Sequence, residues 1–254
     1  MSSLPASPRQ DDLAAGHTVR RYDRELKTLR DIILDMGHRV IEQVQAAVVA
    51  LIDGEEIQAY RVLDREPRID YLSLDADEEI FRVIARRQPT AVDLRIVLAL
   101  SRIAGDVERA GDKAVRIARQ ALALRDQVSA VDNLLDDDLQ SRFRQLDHRA
   151  CCMFERSIEA VASFDVERAL GVFEDEPELF GTSDALRAYL SREDLKGFKP
   201  YQVVCLLTSA HAIERIGNHA SNIAEQVIYV AEGKDIRYRN REILIETLRR
   251  KASA

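Results

Sequence analysis

"DVERAGDKAVRIA" (Asp106–Ala118) is written again, 106 residues later, as "AIERIGNHASNIA" (Ala212–Ala224). Glu-Arg-x-Gly returns as Glu108-Arg109-x-Gly111 and Glu214-Arg215-x-Gly217, while Asp112 gives way to Asn218. The first copy lies in a seam of Ile96, Leu100, Ile103, Val107, Ala110, Ala114, Ile117 and Ala121, spaced alternately by four and three. Apolar residues at that spacing line one side of a long helix packed in a bundle. Moved by 106 places, the seam reads Leu206, Ser209, Ile213, Ile216, Ala220, Ile223 and Val227, and it runs on to Val230. A second correspondence is independent of the first. "VLDREPRID" (Val62–Asp70) matches "VFEDEPELF" (Val172–Phe180) at an offset of 110, with Glu66-Pro67 and Glu176-Pro177 aligned. The chain therefore predicts one helical unit written twice, the second about four residues shorter between these landmarks.

The remaining helices follow from the same periodicity. Leu26, Leu29, Ile33, Met36 and Val40 open a first helix that continues to Leu51, where Asp53-Gly54 breaks it. A second helix is expected from about Glu55 to Arg87. "RQPTAVDL" reads as a stop and restart, with Thr90 as N-cap and Asp93 completing a capping box. The third helix, about 35 residues, would be roughly 50 Å long. Three such helices joined by short turns make an antiparallel bundle. The fold class is all-α, with two tandem, related three-helix bundles: a tail at 1–16, units at 17–125 and 126–235, and a C-terminal segment at 236–254. In the second unit Gly181, Gly197 and Pro200 read as breaks. In the C-terminal "RYRNREILIETLRRK", Ile243, Leu244, Ile245 and Leu248 predict an amphipathic helix docked on the protein's own core; a basic contact with a membrane surface is the other reading.

Composition limits the function classes. A net charge of -7 argues against general nucleic-acid binding, which needs a basic face. Three cysteines, Cys151, Cys152 and Cys205, form no disulfide framework and suit a reducing compartment. The first residues carry no secretory apolar core, and no apolar run approaches the roughly 20 residues that span a bilayer. A cytoplasmic protein is expected.

With Val107 on the seam, Glu108 and Asp112 point away from it, one turn apart on one face. Unshared, two such carboxylates repel; shared, they hold a cation. Glu66 and Asp70 are a second pair with the same spacing, and the two pairs converge if the second and third helices lie side by side. Four oxygen donors suit Mg, Mn or Fe, or Zn among borderline ions. The equivalents in the second unit are Glu176, Phe180, Glu214 and Asn218, with His219 and Asn222 as further donors. Two carboxylates are lost there, so a cation is expected on the first unit in preference to the second. The competing reading is ordinary solvated charge on a metal-free scaffold. A di-metal carboxylate enzyme would need Glu-x-x-His pairs, and none of His17, His38, His148, His211 or His219 has Glu three residues before it. Glycine-rich phosphate cradles and nucleophile–base pairs are missing too, so no catalytic residue is assigned.

At "IARRQPTAVDLRIVLALSRIAGDVERAGDKAVRIA" and "AIERIGNHASNIAEQVIY" the chain closely resembles the PhoU family, the phosphate-uptake regulators. "YDRELKTLRDIILDMGHRVIEQV" is similar to the start of that family's first helix, "VLDREPRID" to its acidic element and "QPTAVDLR" to its entry into the third helix. The resemblance spans about residues 20 to 235. It implies two three-helix bundles, often dimeric, in a cytoplasmic regulator associated peripherally with the membrane. It implies restraint of the Pst phosphate transporter and silencing of the sensor kinase PhoR when phosphate is plentiful. It also implies E/DxxxD elements able to hold metal clusters, which map here onto Glu66 and Asp70 and onto Glu108 and Asp112; the second-unit counterparts are depleted.

Overall fold

A computed structural model describes residues 20–126, 135–192, 197–233, 236, 245–247 and 250. Six long helices carry the fold. They are α1 (Arg20–Asp53), α2 (Glu56–Arg87), α3 (Ala91–Arg125), α4 (Asp137–Ser163), α5 (Val166–Leu190) and α6 (Pro200–Glu232). Among the described residues there is no strand. The expected tail at 1–16 lies outside these residues, as do Ile243, Leu244 and Leu248 of the expected C-terminal helix. Ile245 packs against the core.

Each helix starts and stops for a local reason. Gly54, at φ +70°, ends α1 in the left-handed region that glycine enters without a Cβ penalty. Its repeat equivalent is Phe164, which takes the same turn at φ +54°. A phenylalanine pays for that conformation, and its ring is held by burial and by Arg30, whose guanidinium stacks 5.7 Å from the ring centroid. Asp136 and Asp165 cap α4 and α5, accepting from the Leu139 amide at 2.8 Å and the Arg168 amide at 3.1 Å. Thr90 does stand at the N-cap of α3, but its side chain makes no cap hydrogen bond; the Asp93 amide donates to the Thr90 backbone carbonyl. The expected capping box is therefore not made through the threonine side chain. Gly181 does not break the second unit either: α5 runs through it, and a glycine inside an otherwise favourable helix costs only about 1 kcal/mol. Pro67 and Pro177 also sit inside helices, at the same place in the two units.

The seam residues of α3, Ile96 to Ala121, are all buried, and so are their α6 counterparts from Leu206 to Val230. α1 and α3 of the first bundle pack on α4 and α6 of the second, while among the described residues α2 packs mainly on α1 and α3, and α5 mainly on α4 and α6. Four helices thus form the shared centre and α2 and α5 are the outer ones. Arg87 ties the outer helix back to α1 through two 2.8 Å bonds to Glu25.

α3 and α6 run antiparallel where they meet: Arg102 lies beside Gln226 and Asp106 beside Asn222. Both helices are therefore packed on two sides, against their own bundle and against each other. Asp106 is the polar node of this contact. His219 Nδ1 approaches its carboxylate to 2.9 Å, Asn222 donates at 3.1 Å and Arg109 at 3.1 Å. Burial alone would raise the Asp106 pKa; the bonds from His219, Asn222 and Arg109, with the Arg109 charge, overcome it and hold the carboxyl below the usual aspartate value.

A group whose folded pKa is depressed stabilises above its unfolded pKa and stops doing so as pH falls through the folded value. Asp106→Ala is expected to cost about 3 kcal/mol at neutral pH, because it leaves the buried His219 ring and the half-buried Asn222 amide without their shared partner. The loss should shrink below about pH 4, and urea unfolding of both proteins across that range measures it.

Candidate functional site: an acidic face where α2 meets α3

The repeated glycine fixes how closely the outer helix approaches the central one. A Cβ on Gly111 would meet Ile69 Cδ1 at 3.3 Å and Val40 at 3.5 Å. A Cβ on Gly217 would land inside the van der Waals radius of Leu179 Cδ2. Ile69 and Leu179 are themselves repeat equivalents, each two places after the Glu-Pro pair. Glu-Arg-x-Gly and the Glu-Pro element are thus two halves of one packing contact, made once in each bundle.

That contact places the carboxylates. In the first bundle Glu108 is half-buried, and Asp70 and Asp112 are exposed. Burial raises the Glu108 pKa, and the charges of Asp112 and then Asp70 raise it further, only partly offset by Arg109 and Lys113. Asp70 of α2 and Asp112 of α3 therefore both act on Glu108, and no ion pair among the described residues engages any of the three. Glu66 departs from them: it faces Arg119, 3.7 Å away. The structure thus puts Asp70 and Asp112 within electrostatic reach of Glu108 and turns the fourth sequence-predicted residue, Glu66, to Arg119. Among the described residues, no group of three or more His, Cys, Asp or Glu side chains stands ready to hold a metal ion.

The second bundle treats the same position differently. Glu214 is buried, 8% exposed, and is fully engaged. Ser183 Oγ donates to its carboxylate, and Arg187 Nη1 lies 2.6 Å from it. Ser183 and Arg187 are one and two turns beyond Leu179, where the first bundle has Ser73 and Asp77. A base thus stands in one bundle where an acid stands in the other. Glu176, Phe180 and Asn218 are half-buried. His219 and Asn222 bind Asp106 across the bundle interface and do not join Glu214.

The sequence reading missed Ser183 and Arg187. Their signal was available by extending the Glu-Pro alignment two turns, where Asp77 becomes Arg187. It also missed the Asp106 node. Asp106 has Ala212 as its counterpart, and an acid in one copy against alanine in the other marks an unshared role. The cysteines carry no site: Cys151 and Cys205 are buried, and Cys151 donates to Asp147 at 3.4 Å.

A family model described as "PhoU domain" matches the chain twice, at residues 33–121 and 143–227. The start moves by 110 and the end by 106, the two offsets of the Glu-Pro element and of the third-helix seam. The phosphate-specific transport system accessory protein PhoU homolog of Pseudomonas aeruginosa is 33% identical over 230 residues, covering 89% of this chain and 92% of the relative. The phosphate-specific transport system accessory protein PhoU of Escherichia coli K12 is 30% identical over 226 residues, covering 87% and 90%. The crystal structure of PhoU from Pseudomonas aeruginosa superposes with a TM-score of 0.75 at 32% identity, over 84% of this chain and all of the other. A PhoU structure from Streptococcus pneumoniae, 20% identical, shares the fold with a TM-score of 0.73.

The two glycines make a paired prediction. Gly111→Ala should change stability by less than about 1 kcal/mol, because improved helix propensity offsets a small shift of Ile69. Gly217→Ala should cost about 1–3 kcal/mol, because buried Leu179 must leave its rotamer. Thermal unfolding of the two variants beside the parent decides between these outcomes.

Proposed function

The chain belongs to the PhoU family, and on that premise we propose that it is a non-enzymatic negative regulator of phosphate uptake. It acts by binding the phosphate-specific (Pst) transporter and a PhoR-type sensor kinase, as a homodimer in the cytoplasm at the inner face of the membrane. The observation that carries this reading is the family match across both repeats, together with relatives of the same length named as accessory proteins of that transport system. No helix among the described residues is long and apolar enough to cross a membrane, so any membrane association runs through a partner or a surface. Replacing the host's own gene with a deletion, then restoring this chain, tests the reading. Restored repression of phosphate-regulon genes in phosphate-rich medium supports it; expression and uptake that ignore the chain overturn it.

The second part of the proposal is a cation held by Asp70, Glu108 and Asp112. The support is electrostatic. A half-buried glutamate with two like charges near it is destabilised when ionised, and a divalent ion would relieve all three. The donors are carboxylate oxygens, so Mg, Mn and Fe fit, with Zn as the borderline choice. In the second bundle Arg187 already supplies the positive charge at Glu214, and this argues against a second ion there. A metal-free scaffold is the competing reading, favoured by the lack of a preformed ligand group among the described residues.

Glu108 has a raised folded pKa, so its ionisation opposes folding above that value. Glu108→Gln should therefore stabilise the metal-free protein at neutral pH, and the gain should vanish in acid, where the parent carboxyl is protonated. Added Mn or Fe should raise the parent's melting temperature and leave the Glu108→Gln, Asp112→Asn double variant unmoved. Equal, negligible metal by elemental analysis of both proteins would establish the metal-free scaffold.

A further inference from the structure

The outer face of α2 carries a second pattern that the fold does not use. Tyr60, Pro67, Leu74 and Phe81 recur every seven residues, all on the solvent side. The neighbouring row reads Ile57, Asp64, Tyr71, Glu78 and Ala85, also exposed. Ile57, Tyr60, Tyr71, Leu74 and Phe81 are each more than half exposed, and Phe81 reaches 75%. One apolar row at a seven-residue repeat, with Ile57 and Tyr71 beside it, is a seam that another helix can pack against. Beside Phe81 the surface dips into a depression of about 540 Å³ between Asp77, Glu78, Arg82, Ala85 and Arg86.

The repeat supplies a control. In α5, the same outer helix of the second bundle, Ile57 is replaced by Glu167, Tyr71 by Gly181 and Leu74 by Asp184, and the place of Phe81 falls on Ser191, the residue after the helix ends. Tyr60 corresponds to Leu170, which is buried. The scaffold therefore holds together without an apolar stripe on this face, and its presence on α2 is a separate feature.

Charge selects the occupant. From Ile69 to Phe81 there are five carboxylates and no Lys or Arg. Arg82 pairs with both Glu78 and Glu79, whereas Asp70, Asp75 and Asp77 stand exposed around Tyr71 and Leu74. A second copy docking by the same face would bring these acids against one another, in either helix direction. An anionic membrane surface would repel them. We propose that the Tyr71–Leu74–Phe81 face of α2 is a docking site for a basic amphipathic helix of a partner protein. The partner's apolar side packs against this seam, and its flanking Lys or Arg face Asp70, Asp75 and Asp77. Within the regulatory reading above, on which this rests, the site is where the transport or signalling partner binds.

The test uses the full chain and a labelled helical peptide of about three heptads with Leu at the apolar positions and Lys at the flanks. Binding is followed by fluorescence anisotropy. The parent should bind it with an affinity that falls as salt rises, and should ignore the same peptide with Glu flanks. Leu74→Ala, Phe81→Ala should weaken binding roughly tenfold or more. Asp75→Asn, Asp77→Asn should weaken it and flatten the salt dependence, while Tyr201→Ala, Val204→Ala, on another exposed patch, should change nothing. Equal binding by the alanine pair on α2 overturns the proposal. So does a parent dimer that the same pair dissociates, or parent binding to phosphatidylcholine–phosphatidylglycerol vesicles that the pair abolishes. In the host, a parent that represses beside an α2 alanine pair that represses equally removes the surface and leaves the regulatory reading standing. A parent that binds the peptide yet represses nothing keeps the surface and removes the regulatory reading.

Discussion

Close approach of an outer helix to a central one, at a residue with no side chain, is the constraint on which both bundles depend. Gly111 admits Ile69, and Gly217 admits Leu179. At Gly217 even a methyl would displace Leu179, whereas at Gly111 a methyl needs only a small shift of Ile69, so the first bundle has slack that the second lacks. A glycine inside a helix sacrifices about 1 kcal/mol of propensity, and the close packing it permits is what the sacrifice secures. The contact also explains why Glu-Arg-x-Gly and Glu-Pro are both written twice: each is meaningless without the other.

Duplication then leaves room for divergence. The same glutamate, Glu108 or Glu214, stands beside each glycine contact. In one bundle it is surrounded by further acid; in the other, Ser183 and Arg187 neutralise it. The backbone is indifferent to the choice, since both glutamates occupy the same place on equivalent helices. What differs is the company each keeps: further acids near Glu108, a hydroxyl and a guanidinium at Glu214. Divergence continues at the bundle interface, where Asp106 meets His219 and Asn222 while its counterpart Ala212 can accept nothing from a donor.

Most of the architecture was legible because helix seams are a one-dimensional signal. A seven-residue alternation in Ile96 to Ala121 is visible in the chain itself, and the repeat doubles it. Breaks were harder. Gly181 looks like a stop in the sequence, yet α5 passes through it because its neighbours' packing outweighs one glycine; Thr90 marks a helix start without making the side-chain bond that its identity suggests. The site was half legible. The pairs Glu66/Asp70 and Glu108/Asp112 follow from spacing, but spacing does not say that Arg119 takes Glu66 away, nor that Arg187 reaches Glu214. Those partners lie 53 and 27 residues distant in the chain, and only the packing of antiparallel helices decides which long side chain meets which.

The antiparallel crossing of α3 and α6 sets Gly111 and Gly217 at the same level on opposite sides of the molecule. The shape is nearly two-fold, whereas the charge and the apolar surface are not. A body built this way has a front and a back. Both outer helices carry more acids than bases, so net charge does not tell the two sides apart; the exposed Tyr71, Leu74 and Phe81 of α2 do. Orientation on meeting another molecule is thereby settled by which face offers apolar surface at contact, and a scaffold written as two similar halves has acquired a direction.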